Sequence, residues 1–273
     1  MLSVTREECR WEHSAATHVG LVRKENEDRM GEVAIDDYRI YLVADGMGGH
    51  RAGARAAELT VQTLRASLVE WLPLESVHEA IHQAFEKTNH TVYKEAHFGD
   101  SATSGMGSTV VMLLIQGSQA YLAHVGDSRA YLYSDRKLKQ LTKDHSLVSR
   151  MLEGGILADA EAARNHPQAN IIDRAIGDKP HVDVDISEPF HLAAGDGMLL
   201  CSDGLCGYVA DDEIESVLRQ TKRAQDVADN LIQLALKAGG EDNITVQFVR
   251  RVAKSESSLF ERMRNLFKII RIR

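Results

Sequence analysis

The sequence predicts an α+β sandwich, in which packed β-sheets are covered by pairs of helices. The main observation is the order of the predicted elements: a strand, two helices, many strands, two helices and a last strand. The central strands follow one another across short polar turns, which is typical of an antiparallel meander. The chain of 273 residues, 44% of them hydrophobic, is long enough to bury a core without disulfide bonds.

The first elements come from an apolar run and two stretches with helical periodicity. Residues 40–44 predict a buried strand, and the glycine-rich residues 45–49 predict a turn directly after it. Apolar side chains at helical spacing predict a helix over residues 52–72, which Pro73 ends. The same periodicity predicts a second helix over residues 76–96.

The rest of the chain is predicted to be mostly strand until two further helices near its end. The predicted strands cover residues 109–115, 119–125, 130–134, 182–192, 198–201 and 244–252. Helical periodicity returns at residues 211–219 and 224–237, and the glycine pair after the second stretch ends that helix.

The predicted organisation is a single domain over residues 1–253, followed by a tail. Residues 153–180 are irregular and polar, which indicates a surface insertion. Residues 254–273 contain six Lys or Arg and two Glu, and their apolar side chains share one helical face. This basic amphipathic tail fits an anionic membrane surface, an acidic protein partner, or the acidic body of the chain itself.

Charge and cysteine content limit the partners and the compartment. The net charge of −8 disfavours nucleic acid as a partner, because a phosphate backbone requires a basic face. Three cysteines are too few for a disulfide scaffold, and the first twenty residues lack the apolar stretch of a secretion signal. We therefore expect a cytoplasmic protein, which the tail would place at the inner membrane if it binds an anionic membrane surface rather than a protein partner or the body of the chain.

Acidic residues occupy five short segments at predicted strand ends or turns. Asp-Gly and Gly-Asp pairs are also common in ordinary turns, so each segment alone is a weak signal of a metal site. An Asp at the end of a buried strand is costly unless it is paired or binds a cation. The absence of Cys and His in zinc-site spacing favours Mg²⁺ or Mn²⁺. The segments are residues 26–28, 45–46, 126–129, 202–204 and 241–243.

Read in order, these segments and their neighbours closely resemble the metal-dependent protein phosphatase family, the protein phosphatase 2C type, in its bacterial form. The resemblance spans about residues 14–250, and it implies a four-layer αββα sandwich with two central antiparallel sheets between antiparallel helix pairs. The motifs that carry it are residues 23–28, 43–50, 107–109, 125–131, 141–146, 201–205 and 242–246.

The resemblance assigns roles to individual residues. Asp45 matches the carboxylate that bridges two Mn²⁺ or Mg²⁺ ions, and the carbonyl of Gly46 matches a ligand of one of them. Asp203 and Asp242 match ligands of the first ion. Arg23 matches the arginine that grips the substrate phosphate, a role suited to a bidentate guanidinium.

Further carboxylates match the outer parts of the family site. Asp28, together with Glu27, matches residues that hold the water ligands of the second ion. Asp127, with Asp203, matches a third and weaker cation site of bacterial relatives. The resemblance thus implies two cations and allows a third. It also matches residues 153–180 to a mobile flap of bacterial relatives, and we call these residues the flap-like segment.

The general acid is not identified by the resemblance. Eukaryotic relatives have a histidine directly after the Asp-Gly pair, whereas this chain has Met47. His50 lies nearby and is a candidate acid, or a residue that contacts the metal ligands without binding the ions, and a water is the favoured proton donor. His145 matches a family motif and is interpreted as structural.

The function implied by the resemblance is a Ser/Thr phosphoprotein phosphatase. A hydroxide bridging the metals would attack phosphorus in line, and the enzyme would oppose a bacterial Ser/Thr kinase in signal transduction. Its partners would be phosphorylated proteins and that kinase, and the family is usually monomeric. Two alternatives stay open: a pseudophosphatase or scaffold without turnover, and a phosphatase specialised for anti-sigma antagonists.

Overall fold

Two antiparallel β-sheets form the centre of the computed structural model, which describes residues 9–49 and 51–253. The strands are β1 (Cys9–His18), β2 (Arg29–Ile35), β3 (Tyr38–Ala44), β4 (Gly46–Met47), β5 (Gly107–Ser108), β6 (Val110–Gln116), β7 (Gln119–Val125), β8 (Arg129–Ser134), β9 (Lys137–Gln140), β10 (Asp185–Ile186), β11 (Phe190–His191), β12 (Gly197–Cys201) and β13 (Ile244–Ala253). The helices are α1 (Arg51–Trp71), α2 (Val77–Phe98), α3 (Leu147–Glu153), α4 (Ala160–Arg164), α5 (Asp203–Cys206), α6 (Asp211–Gln220) and α7 (Val227–Lys237), the last preceded by a 3₁₀ turn (Ala224–Asp226).

The first sheet has the strand order β1-β13-β12-β8-β9. The second sheet has the order β10-β7-β6-β3-β2, and β11 also pairs with β7. Neighbouring strands in both sheets are antiparallel. The short strands β4 and β5 form a separate ribbon directly after the end of β3.

Alternation along β3 shows how the layers are built. Ile40 and Leu42 point into the core between the second sheet and helices α1 and α2. Tyr41 and Val43 point into the core between the two sheets. Because successive side chains of a strand face opposite sides, a strand that is apolar throughout is buried on both faces.

A third core lies between the first sheet and helices α6 and α7. It contains Phe248 from β13 together with Leu218 from α6 and Leu231 from α7. The order of layers is therefore helices, sheet, sheet, helices. The predicted four-layer αββα sandwich is confirmed.

The described structure differs from the sequence prediction mainly in short or peripheral strands. Strands β1, β2 and β9 were not predicted, and the single strand expected over residues 182–192 is instead the two short strands β10 and β11. The segment 153–180 is irregular except for α4. Within the described residues, no helix is both long and apolar enough to cross a membrane. The tail 254–273 lies outside the described residues.

Candidate metal centre

The acidic segments meet at one end of the sandwich, around a pocket of about 370 Å³. Asp45 follows β3 of the second sheet, whereas Asp203 follows β12 of the first sheet by two residues. Asp127 lies in the turn between β7 and β8, and Asp242 lies just before β13. These four carboxylates line the pocket together with Arg23, Glu27, Gly46, Met47 and Asn243 among others.

Asp28 is not among the residues that line this pocket, and it is almost completely buried, with 2% of its surface exposed. Its Oδ2 accepts a hydrogen bond of 2.7 Å from the Ser202 hydroxyl. Its Oδ1 has no hydrogen-bond partner among the described residues, and the same is true of the buried Oδ1 of Asp203. Buried carboxylate oxygens without partners are costly, so these two atoms point to a group that the protein chain does not supply.

The carboxylates also raise the pKa values of one another. Burial, followed by the charges of Asp28, Asp203 and Asp127, raises the pKa of Asp45 well above its usual range. Burial, with the charges of Asp203 and Asp242, raises the pKa of Asp28 to about 7. Without a counter-ion, the folded protein therefore holds protons that free carboxylic acids would have released.

Two further members of the cluster behave in the same way. Burial and the charge of Asp203 raise the pKa of Asp127 to about 8. Burial and the charge of Asp242 raise the pKa of Asp203 to about 6, although a hydrogen bond with Asp45 offsets part of the shift. An all-oxygen donor set of this charge fits hard divalent cations such as Mg²⁺ and Mn²⁺.

A close approach of backbone segments shapes one wall of the pocket. A Cβ atom at Gly46 would lie 1.9 Å from the carbonyl oxygen of Gly53 in α1. A Cβ atom at Gly53 would lie 1.9 Å from Oε2 of Glu27 and 2.8 Å from the carbonyl oxygen of Gly46. Only glycine fits at these two positions, and the contact fixes the Gly46 carbonyl and the Glu27 side chain against the helix.

Arg23 lies at the rim, where half of its side chain is exposed. Its Nη2 donates a hydrogen bond of 2.7 Å to Oδ2 of Asp242. The predicted phosphate-binding residue and a predicted metal ligand are therefore in direct contact. The guanidinium lines the pocket and keeps donors that are free to bind a phosphate.

Several polar side chains that hold the site together were not assigned such roles from the sequence. The Thr109 hydroxyl accepts a hydrogen bond from the amide of Asp45, at 3.3 Å, and lies 2.7 Å from the Ser128 hydroxyl. Asn243 accepts a hydrogen bond from the amide of Glu27 and donates to the carbonyl oxygens of Val19 and Glu25. An Asn directly after Asp242 was the available signal, but its partners are more than 200 residues away in the chain.

No histidine among residues 9–49 and 51–253 lines the pocket. Met47 does line it, as the sequence position indicated. His50 lies outside the described residues, so its candidate role as an acid stays a prediction. His145 is buried outside the pocket and contacts the turn that carries Asp127.

A larger cleft of about 910 Å³ adjoins the pocket and shares Asp127 and Asp203 with it. One wall comes from the flap-like segment and includes Ala163 and Asn170. Tyr208 and Asp211 also line the cleft. The cleft has more space than a phosphate group requires, and it leads directly to the carboxylates.

Comparison with known proteins identifies the family. A family model described as protein phosphatase 2C matches residues 7–151. A serine/threonine phosphatase stp of Listeria monocytogenes is 42% identical over 240 residues, which cover 86% of this chain and 94% of the relative. The chain belongs to the protein phosphatase 2C family. The predicted enzyme class, a Ser/Thr phosphatase, is thereby confirmed, and the alternative of a pseudophosphatase finds no support.

Solved structures agree with this identification of the phosphatase. The Streptococcus agalactiae serine/threonine phosphatase superimposes with a TM-score of 0.82 at 35% identity, over 88% of this chain and 99% of that one. The catalytic domain of the phosphatase PstP, solved with two manganese ions, gives a TM-score of 0.76 at 33% identity, over 90% and 100% of the two chains. The predicted use of Mn²⁺ or Mg²⁺ is in accord with that manganese complex.

Proposed function

We propose that this phosphatase hydrolyses phosphoserine and phosphothreonine in proteins at the carboxylate pocket. The observation that carries the proposal is the convergence of carboxylates from both sheets, with two unpartnered buried oxygens, beside the exposed Arg23. Polypeptide substrates are supported by the adjoining cleft, which provides room for residues on either side of the phosphorylated side chain.

Asp45, Asp203 and Asp242 would hold one cation, and Asp45 and the Gly46 carbonyl would hold another. Asp28, whose charge acts on Asp45, would accept hydrogen bonds from water ligands of the second cation. Bound divalent cations lower the pKa of water and neutralise charge on the phosphoryl group. Asp127 would complete, with Asp203, a third and weaker site.

Arg23 would bind and orient the substrate. Its planar guanidinium donates two parallel hydrogen bonds to a phosphate, which fixes the phosphorus atom for in-line attack. Its present partner, Asp242, holds the guanidinium at the pocket rim before the substrate arrives. Since no described histidine lines the pocket, a water is the proposed proton donor for the leaving alkoxide.

The decisive experiment is hydrolysis of p-nitrophenyl phosphate during a Mn²⁺ titration, with Asp45→Asn in parallel. We expect cation-dependent turnover in the wild type and loss of turnover in the variant. Peptides carrying phosphoserine, phosphothreonine or phosphotyrosine then test the substrate class. Equal rates on the phosphotyrosine peptide, or no turnover at any Mn²⁺ concentration, would contradict the proposal.

The partners and location proposed for the enzyme rest on its sequence and family. We infer a monomeric cytoplasmic phosphatase that opposes a Ser/Thr kinase, with the basic tail 254–273 binding an anionic inner-membrane surface or a protein partner. The tail has a net charge of +4, opposite in sign to the chain as a whole. Deletion of the tail should preserve p-nitrophenyl phosphate hydrolysis and abolish co-sedimentation with anionic vesicles. Loss of hydrolysis in the truncated protein would contradict this division of roles.

A further inference from the structure

His145 is buried, with 7% of its surface exposed, and it binds both backbone polar groups of one residue beside the pocket. Its amide donates a hydrogen bond of 3.0 Å to the carbonyl oxygen of Gly126. In return, the amide of Gly126 donates a hydrogen bond of 3.1 Å to Nδ1 of the His145 ring. Gly126 has a φ of +105° and directly precedes Asp127, so these two bonds fix the start of the turn that carries this carboxylate.

The other side of the ring contacts the base of the flap-like segment. Nε2 of His145 lies 3.3 Å from Oδ2 of Asp185 and 3.3 Å from Nη1 of Arg174. Arg174 also donates a hydrogen bond of 2.9 Å to the other oxygen of Asp185. The carbonyl oxygen of His145 accepts a 2.7 Å hydrogen bond from the amide of Asp173. His145 therefore joins the turn before Asp127 to residues 173–174.

The group formed by His124, His145 and Asp185 has donor atoms close enough for a metal ion, all within 4.8 Å of one another. The hydrogen bonds of these residues do not fit binding of a metal ion. Because Nδ1 of His145 accepts from Gly126, the neutral ring carries its proton on Nε2, which then donates to Asp185. The guanidinium of Arg174 also faces these atoms. This group is a hydrogen-bonded network, and the carboxylate pocket is the metal centre.

We propose that His145 is a positioning residue for Asp127, and that it links this carboxylate to the base of the flap-like segment. The inference rests on the proposed function, in which Asp127 is a ligand of the third and weaker cation site. The amide and the carbonyl of Gly126 both bond to His145, and the bond from the Gly126 amide to Nδ1 is the one that depends on the ring. Loss of the ring leaves only the bond from the His145 amide, and the carboxylate loses its fixed direction.

Three variants test the contacts of Nδ1 and of Nε2 of the His145 ring separately. His145→Asn keeps an acceptor near the position of Nδ1, His145→Gln keeps a polar atom near the position of Nε2, and His145→Ala removes both. We expect His145→Ala and His145→Gln to weaken the third Mn²⁺ site roughly tenfold or more, as the loss of a residue that orients a ligand does. His145→Asn should bind nearly as well as the wild type. Calorimetric titration with Mn²⁺ alone measures this directly.

Asp127→Asn supplies the matched comparison, because it removes the carboxylate itself. Added to Asp127→Asn, His145→Ala should weaken Mn²⁺ binding no further, since it acts through the same carboxylate. Unchanged Mn²⁺ isotherms in all three His145 variants, with only lower melting temperatures, would overturn the proposal. Equal binding by the Asn and Gln variants would also overturn it. Failure of the proposed function is distinct, because the wild type itself would then bind no Mn²⁺.

Discussion

Asp28 combines deep burial with one carboxylate oxygen that has no partner among the described residues. In the cation-free protein its charge is opposed by burial and by Asp203 and Asp242, which is why its pKa rises to about 7. A residue in this position lowers the stability of the folded chain until a cation binds. The same carboxylate therefore has opposite effects on stability in the two states.

Asp28→Asn tests these opposite effects of Asp28 on folding stability. In EDTA at pH 8, we expect the variant to be more stable than the wild type by on the order of 1 kcal/mol, because it buries no charge. In Mn²⁺, the wild type should gain stability and the variant should gain much less. Thermal unfolding in both buffers measures the two effects. A variant less stable than the wild type in EDTA would contradict the argument.

Arg23 offers a second test at the scale of one side chain. Arg23→Lys keeps the charge but loses the planar pair of donors, so we expect the kcat/KM for p-nitrophenyl phosphate to fall roughly tenfold. Arg23→Ala should cost more, through loss of the charge as well. Steady-state kinetics at saturating Mn²⁺ gives both values. Equal kinetics for the Lys variant and the wild type would mean that only the charge matters.

At the scale of elements, helix propensity and packing favour different residues at the contact between β4 and α1. Gly53 lies in the first turn of α1, where Ala is the better helix former by about 1 kcal/mol. The backbone of Gly46 leaves no room for that methyl group. Packing at this contact therefore decides the residue type.

Gly53→Ala should accordingly destabilise the protein and weaken Mn²⁺ binding, since it displaces Gly46 and Glu27. Ala66→Gly on the exposed face of the same helix is the matched control. It should cost about 1 kcal/mol and leave Mn²⁺ binding unchanged. Chemical denaturation and calorimetry test both variants. A Gly53→Ala protein that is stabilised would show that propensity outweighs packing here.

The strands that the sequence predicted and those that it missed differ in their place in the sheets. Strand β6, with six consecutive buried apolar residues, was predicted because it lies in the middle of its sheet. Strands β1, β2 and β9 are edge strands, and their mixed polar sequences lack a strong apolar pattern. A strand paired on only one side needs less apolar surface, so its sequence signal is weaker.

The candidate site likewise contains features that the sequence predicted and features that it missed. Its carboxylates and Arg23 were predicted because each lies in a short recognisable motif at a strand end. The bonds of Thr109 to the Asp45 amide and of His145 to Gly126 were not predicted, because they join segments that are distant in the sequence. Pairing of β3 with β6 in the second sheet brings Thr109 to Asp45, and the β8–β9 hairpin of the first sheet returns His145 to Gly126.

At the scale of the whole molecule, the carboxylate cluster predicts how stability depends on pH. The pKa values of Asp28 and Asp127, about 7 and about 8, lie above those of the same groups in the unfolded chain. The folded state then binds more protons than the unfolded state, so stability falls as pH rises through these values. Burial lowers the pKa values of His124 and His145, which has the opposite effect on stability, but only below about pH 6.5.

Between pH 6.5 and 8.5, the cation-free protein should therefore lose on the order of 2 kcal/mol of unfolding free energy. With saturating Mn²⁺ the loss should disappear, because the cations hold the carboxylates ionised in the folded state. Urea unfolding at several pH values, with EDTA or with Mn²⁺, measures both slopes. A cation-free protein that becomes more stable over this range would contradict the assignment of these groups.

The origin of the carboxylates in different sheets has a consequence for local opening. Asp45 follows a strand of the second sheet, and Asp203 follows a strand of the first, so a cation held by both is a crosslink between two halves of the fold. Neither sheet can separate from the other without breaking this link. Amide hydrogen exchange in the centres of both sheets should thus slow together when Mn²⁺ is added. Helix α2 supplies no ligand, so its amide exchange should slow only where that exchange requires global unfolding.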